Sequence, residues 1–139
     1  MSAAHALIGE WLGVEAPSSE SELLRMVEDR FGPTIINRLL ELGFERSELD
    51  QVVIAARTLQ HRRSRHEKLS LEESDRVLRL ARVLSMAERT YGSRERALAW
   101  MRRPIPRLNN RSPLSLLTTE TGTRIVEDTL TQIDEGMFV

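Results

Sequence analysis

The sequence predicts an all-α protein, and two observations carry that prediction. Apolar residues recur at steps of three and four along most of the chain, and the two-residue alternation of a half-buried strand persists nowhere. Helix punctuation is also dense: Ser stands three residues ahead of Glu at capping distance, and Gly follows several apolar runs.

Taken in order, Ala4, Leu7, Ile8, Trp11 and Leu12 fall at helical spacing and predict a short amphipathic helix. Val14 to Glu20, with Pro17 and two serines, reads as a linker. Ser19 and Glu22 have capping-box spacing and open a helix presenting Leu23, Leu24, Val27 and Phe31, which Gly32-Pro33 breaks. Ile35, Ile36, Leu39, Leu40 and Leu42 form the next helix, closed by Gly43. Ser47 is positioned to cap a short helix with Leu49, Val52 and Val53. Ile54-Ala55-Ala56 then either turns the chain or continues one helix into Arg57-Thr58-Leu59-Gln60-His61-Arg62-Arg63. Two short helices in tight succession, the second bearing Thr, Gln, His and Arg around one Leu, suit a helix-turn-helix, because Arg and Gln can pair bidentately with guanine and adenine edges.

Ser70 and Glu73 repeat the capping-box spacing, and acids in the first turn suit the positive helix end. Val77, Leu80, Ala81, Leu84, Ala87 and Tyr91 extend that start into a long helix whose stripe packs within the chain, joins two halves or meets a second copy. Gly92 ends it, and Ser93 starts a helix carrying Ala97, Leu98, Trp100 and Met101. The segment from Trp100 to Thr119 is the densest in punctuation. Pro104 and Pro106 stop the preceding helix, Asn109 and Asn110 tolerate a left-handed turn, and Ser112-Pro113 opens a short turn with Leu114, Leu116 and Leu117. Such a connector serves either rigid packing or presentation of a surface. Thr118 or Thr119 then caps a last helix from about Glu120 to Glu135, in which Gly122 implies close approach of another backbone; Gly136 ends it.

Composition narrows the function. The 139 residues suffice for one domain or two very small ones, and with 40% hydrophobic but only 4% aromatic residues the core must be aliphatic and modest. With no cysteine, disulfides, thiolate metal sites and thiol nucleophiles are all excluded. Neither a signal peptide nor a bilayer-length apolar run is visible, so a cytoplasmic protein without membrane contact is expected. Residues 1–56 carry 4 basic and 10 acidic side chains, residues 57–111 carry 15 and 6, and residues 112–139 carry 1 and 5. A basic middle between acidic ends fits a polyanion on one surface and other contacts elsewhere; a solvated, ion-paired helical face gives the same counts. His5, His61 and His66 are scattered, with no His-Glu-x-x-His pair, phosphate loop or nucleophile elbow, so no catalytic residue, metal or cofactor is expected and the chain does not read as an enzyme.

Two sets of residues resemble one family. Trp100, Pro104, Leu108, Asn110, Pro113-Leu114, Leu116-Leu117, Thr119-Glu120, Gly122 and Ile133…Gly136 resemble the toxin-binding domain of Xre/MbcA/ParS-type antitoxins. Arg57-Thr58-Leu59-x-x-Arg62-Arg63, followed by Leu69-Ser70-x-Glu72-Glu73-Ser74-Asp75-Arg76-x-x-Arg79-x-Ala81, is similar to the N-terminal domain of the same family. Ile105, Asn109 and Ser115 depart from the usual pattern and bear on partner choice.

The resemblance implies a Cro/repressor-like helix-turn-helix followed by a compact helical toxin-binding domain. Residues 1–33 stay an unassigned helical segment, 34–92 become the DNA-binding domain with its connecting helix, and 93–139 the toxin-binding domain. It further implies an antitoxin that occludes the active site of an NAD-degrading RES-domain toxin and represses its own operon as a homodimer. The alternative is a helix-turn-helix regulator with a dimerisation or ligand-binding C-terminal domain and no toxin. For operator DNA the candidates are Arg57, Thr58, Gln60, His61, Arg62, Arg63, Arg65 and Lys68. For the toxin they are Trp100, Pro104, Leu108, Asn110, Pro113, Leu114, Leu117, Thr119, Gly136, Met137, Phe138 and Val139.

Overall fold

The computed structural model describes residues 3–137. Among these the chain is all-α, with nine α-helices and one 3₁₀ turn: α1 (Ala3–Leu12), α2 (Glu20–Asp29), α3 (Thr34–Glu41), α4 (Arg46–Val52), α5 (Ala56–Ser64), α6 (Leu71–Tyr91), α7 (Arg94–Arg102), the 3₁₀ turn Pro106–Leu108, α8 (Pro113–Leu116) and α9 (Glu120–Asp134). Its packing divides it into two compact units, Met1–Ala81 and Arg82–Val139, and the division falls inside α6.

In the first unit the apolar stripes of the short helices converge on one aliphatic core that includes Ile8, Leu23, Ile36, Leu39, Leu49 and Leu59. The N-terminal segment is part of it. α1 packs on α3, and Trp11 meets Phe44 with ring centroids 5.6 Å apart and planes tilted by 55°. Arg38 Nη2 donates to the Glu10 carbonyl at 2.6 Å, joining the same two helices. Ser19 caps α2 by accepting from the Glu22 N–H at 3.2 Å, but the Glu22 carboxylate does not complete the box. It accepts instead from the Ser18 N–H and hydroxyl, both at 2.7 Å, and the Ser18 N–H bond in particular holds its pKa below the ordinary value. After α2, Arg30 adopts φ 62° and ψ 142°, a region nearly reserved for glycine. Phe31 beside it is fixed on both sides, donating to the Ser74 hydroxyl at 3.0 Å and accepting from the Leu69 N–H at 2.8 Å, which is how a strained residue is held in place.

The second unit is built on Leu84, Ala87, Ala97, Met101, Leu117, Val126 and Leu130, with the Tyr91 and Trp100 ring centroids 5.6 Å apart and their planes tilted by 31°. The connector between α7 and α8 is closed by its own backbone. Ile105 N–H donates to the Arg111 carbonyl at 3.1 Å and Asn110 N–H to the Ile105 carbonyl at 3.0 Å, while Asn109 and Asn110 turn the chain at φ 57° and 60°. Ser112 caps α8 and Thr119 caps α9, accepting from Ser115 N–H and Gly122 N–H respectively. α8 packs on α7 and α9. At the α8–α9 crossing Gly122 lies against the Leu116 carbonyl so closely that a Cβ there would overlap the oxygen.

That contact sets the first prediction. Neither backbone can yield without moving a helix, so Gly122→Ala lowers stability by at least about 1–3 kcal/mol, the usual cost of overpacking, despite alanine's better helix propensity. Urea unfolding followed by circular dichroism measures it; an unchanged midpoint means the crossing is loose.

Candidate functional site

The chain turns between α4 and α5, so Ala55-Ala56 does not continue one helix. α4 is capped by Glu45, not Ser47: Glu45 N–H donates to Glu48 Oε1 at 2.8 Å, and the Glu45 side chain accepts from the Glu48 N–H. A glutamate reaches the amide as a serine would, and Ser47, already inside the helix, stays exposed. Val53 and Ile54, both buried, plug the turn while their N–H groups bond the Leu49 carbonyl. Asp50 then takes the Ala56 N–H, an orphan donor at the start of α5, at 2.5 Å.

α5 buries Leu59 and exposes Arg57, Gln60, His61, Arg63 and Ser64, with Thr58 and Arg62 half-buried. Arg57 and Arg65 make no ion pair among the described residues. Arg63 Nη2 donates to Asn37 Oδ1 at 2.9 Å, and Lys68 Nζ to the Asp29 carbonyl at 2.9 Å, so both heads are anchored at the edge of this face. Arg62 is placed differently. Its Nε and Nη2 donate to the two Glu73 carboxylate oxygens at 3.2 and 3.1 Å, and Nη1 lies 3.5 Å from Glu67 Oε2. The fork that would pair with guanine is thus occupied by a carboxylate. His66 sits at φ 55° in the turn after α5, where Glu67 N–H bonds the Arg62 carbonyl at 2.9 Å, giving His66 the place a glycine usually holds in a helix C-cap.

The first turns of α6 organise this motif. Ser70 and Glu73 form the reciprocal box, Ser70 N–H to Glu73 Oε1 at 2.7 Å and Glu73 N–H to Ser70 Oγ at 3.1 Å. Arg76 donates to the Val53 carbonyl, in the α4–α5 turn, at 3.2 Å. Burial pushes the Glu73 carboxyl up, but the Arg62 guanidinium and the Ser70 N–H outweigh it and hold the pKa below its ordinary value. Hydrogen bonding to Glu73 correspondingly raises that of Arg62.

In the second unit the toxin-contact candidates separate by exposure. Trp100, Leu108, Pro113, Leu114 and Leu117 are buried and fill the core. Pro104, Asn110, Thr119, Gly136 and Met137 are exposed. Gly136, at φ 73°, ends α9 with the Met137 N–H bonded to the Gln132 carbonyl at 2.9 Å, yet the Met137 side chain does not fold back and is 63% exposed. Among the described residues of this unit, Ile125 on α9, 44% exposed, is the other large apolar group on display. Phe138 and Val139 lie outside the described residues. No helix among the described residues is long and apolar enough to cross a membrane, and no group of three or more His, Cys, Asp or Glu there could hold a metal ion.

Comparison with known proteins agrees with this division. Residues 22–82 match the antitoxin Xre-like helix-turn-helix domain, and residues 86–136 the antitoxin Xre/MbcA/ParS C-terminal toxin-binding domain. The chain is 36% identical over 126 residues to an antitoxin Xre of Pseudomonas putida, covering 90% of this chain and 79% of that protein. To an antitoxin Xre of Yersinia enterocolitica it is 32% identical over 132 residues, covering 92% and 89%. It is also 30% identical over 98 residues to the Prs ADP-ribosylating antitoxin of a Sphingobium strain, covering 64% and 62%.

The Glu73 pair makes stability pH-dependent in a defined window. A carboxyl whose pKa is depressed by folding stabilises above its unfolded value, about 4.3, and that contribution is lost as pH falls through the lower folded value. The gap in melting temperature between wild type and Glu73→Gln is therefore level from pH 7 to about 5 and narrows below about 4. Thermal unfolding across that range checks it; a gap that widens in acid contradicts the pairing.

Proposed function

The chain belongs to the Xre antitoxins, and from that premise we propose that it silences an NAD-degrading RES-domain toxin by covering its active site and represses its own operon as a homodimer. As an antitoxin of a toxin–antitoxin system with a helix-turn-helix domain, it has a toxin and DNA as partners. The finer reading rests on one observation above the rest: the helix after the turn presents Arg57, Gln60 and His61 to solvent while Leu59 anchors it.

On DNA, Arg57, Gln60 and His61 read base edges, Thr58 supports them from the half-buried side, and Arg63, Arg65 and Lys68 meet phosphates. Two copies are needed because one such helix reads only a few base pairs, and a dimer couples two half-sites. On the toxin, Pro104, Asn110 and Thr119 form the exposed part of the docking face, held in shape by the buried Trp100, Leu108, Pro113, Leu114 and Leu117. The segment Gly136, Met137, Phe138, Val139 lies near the toxin's active site, where its apolar residues cover the dinucleotide cleft.

Each surface has its own assay. Arg57→Ala costs roughly 1–3 kcal/mol of affinity for the chain's own promoter and relaxes specificity at one position, leaving toxin inhibition intact; unchanged promoter affinity in a binding titration sinks the recognition-helix assignment. Deleting residues 136–139 weakens inhibition of the toxin's NAD consumption while promoter binding and helical content persist. Equal inhibition by full-length and shortened chains removes the tail mechanism.

A further inference from the structure

α5 is held at each end by a carboxylate from another element. Asp50 caps its start through the Ala56 N–H, and Glu73 takes the Arg62 fork near its end. Glu73 cannot follow a moving guanidinium, because the residue is only 7% exposed and its Oε1 also accepts the Ser70 N–H. Through Arg76 on the Val53 carbonyl, the same helix also holds the turn ahead of α5. The orientation of α5 is therefore set from α6.

We propose that Glu73 is a positioning residue for operator recognition, fixing through Arg62 the tilt of the helix that carries Arg57, Gln60 and His61, and that Arg62 is its partner and not a reader of bases. This rests on the DNA-binding reading above. Bidentate base contacts require donors placed to within tenths of an ångström, whereas attraction to phosphates tolerates a loose helix. Loosening α5 therefore reduces specific binding more than non-specific binding. Charge alone gives the opposite sign: removing the Glu73 carboxylate makes the protein more positive, which favours DNA.

The test is a double-mutant cycle on the full-length chain, titrated with its own promoter and with random duplex DNA at several salt concentrations. Glu73→Gln keeps an acceptor for Ser70 but removes the charge facing Arg62. Arg62→Met removes the other partner at a half-exposed position. Each single change is expected to weaken promoter binding about tenfold, to change random-DNA binding less than about threefold and to leave the salt slope unaltered, and the double variant is expected to be no weaker than the worse single. Promoter affinity unchanged or raised in Glu73→Gln overturns the proposal. So do multiplicative effects in the double variant, or a salt slope reduced by about one in Arg62→Met, which marks a direct phosphate contact. If Glu73→Gln does not fold, Arg62→Met decides alone by its salt slope and its promoter-to-random ratio. A wild-type chain that does not distinguish its promoter from random DNA overturns the DNA-binding reading itself, and this proposal with it.

Discussion

The helix-turn-helix unit depends on one carboxylate. Glu73 is almost out of water and would be costly there alone; a backbone N–H and a guanidinium together hold it ionised. A buried ion pair contributes little net stability compared with well-packed apolar groups, since desolvation offsets most of the attraction. Its value is geometric. A Leu–Leu contact can slide, but a fork on two oxygens has one arrangement, so the pair specifies where α5 lies more than how strongly it is held. Ser74 and Arg76, one and three residues on, extend the same principle to Phe31 and Val53.

Local order in this chain was legible where the deciding atoms lie within four residues of each other and no neighbouring side chain competes for the same role. The Ser70 and Glu73 box, the left-handed pair Asn109 and Asn110, the Ser112-Pro113 start and the glycine stops at 92 and 136 all follow from side-chain chemistry at fixed offsets. Gly122 was legible too, because a helix-interior glycine on the apolar face implies a neighbour that excludes a Cβ. Glu45 as a cap was not, since capping preferences favour shorter side chains and the adjacent Ser47 competed for the role. Glu22 likewise had two serines within reach and took the earlier one.

What sequence reasoning could not resolve was the destination of long cations. Arg57 and Arg62 look alike as letters on one helix, and only the fold brings Glu73 to one of them. The apolar anchors of the connector pose the matching difficulty. Trp100, Leu108, Pro113, Leu114 and Leu117 carry the family resemblance, yet they are buried because they shape a loop that must hold its form with few strong elements. A motif marks residues a fold requires as readily as residues a partner touches. Separating the two needs burial, which periodicity alone leaves open in so short a segment.

The crossing of α8 and α9 at Gly122 is a contact between main-chain atoms. Main chain is the one part of a protein that substitution does not rewrite, so this joint is insulated from changes in the side chains around it. Thr121, Arg124, Ile125 and Asp128, all exposed on α9, can therefore drift without disturbing the angle at which the helix is presented. Such an arrangement is suited to an evolutionary contest between paired proteins: the surface can be rewritten to follow a changing counterpart while the scaffold beneath it keeps its shape.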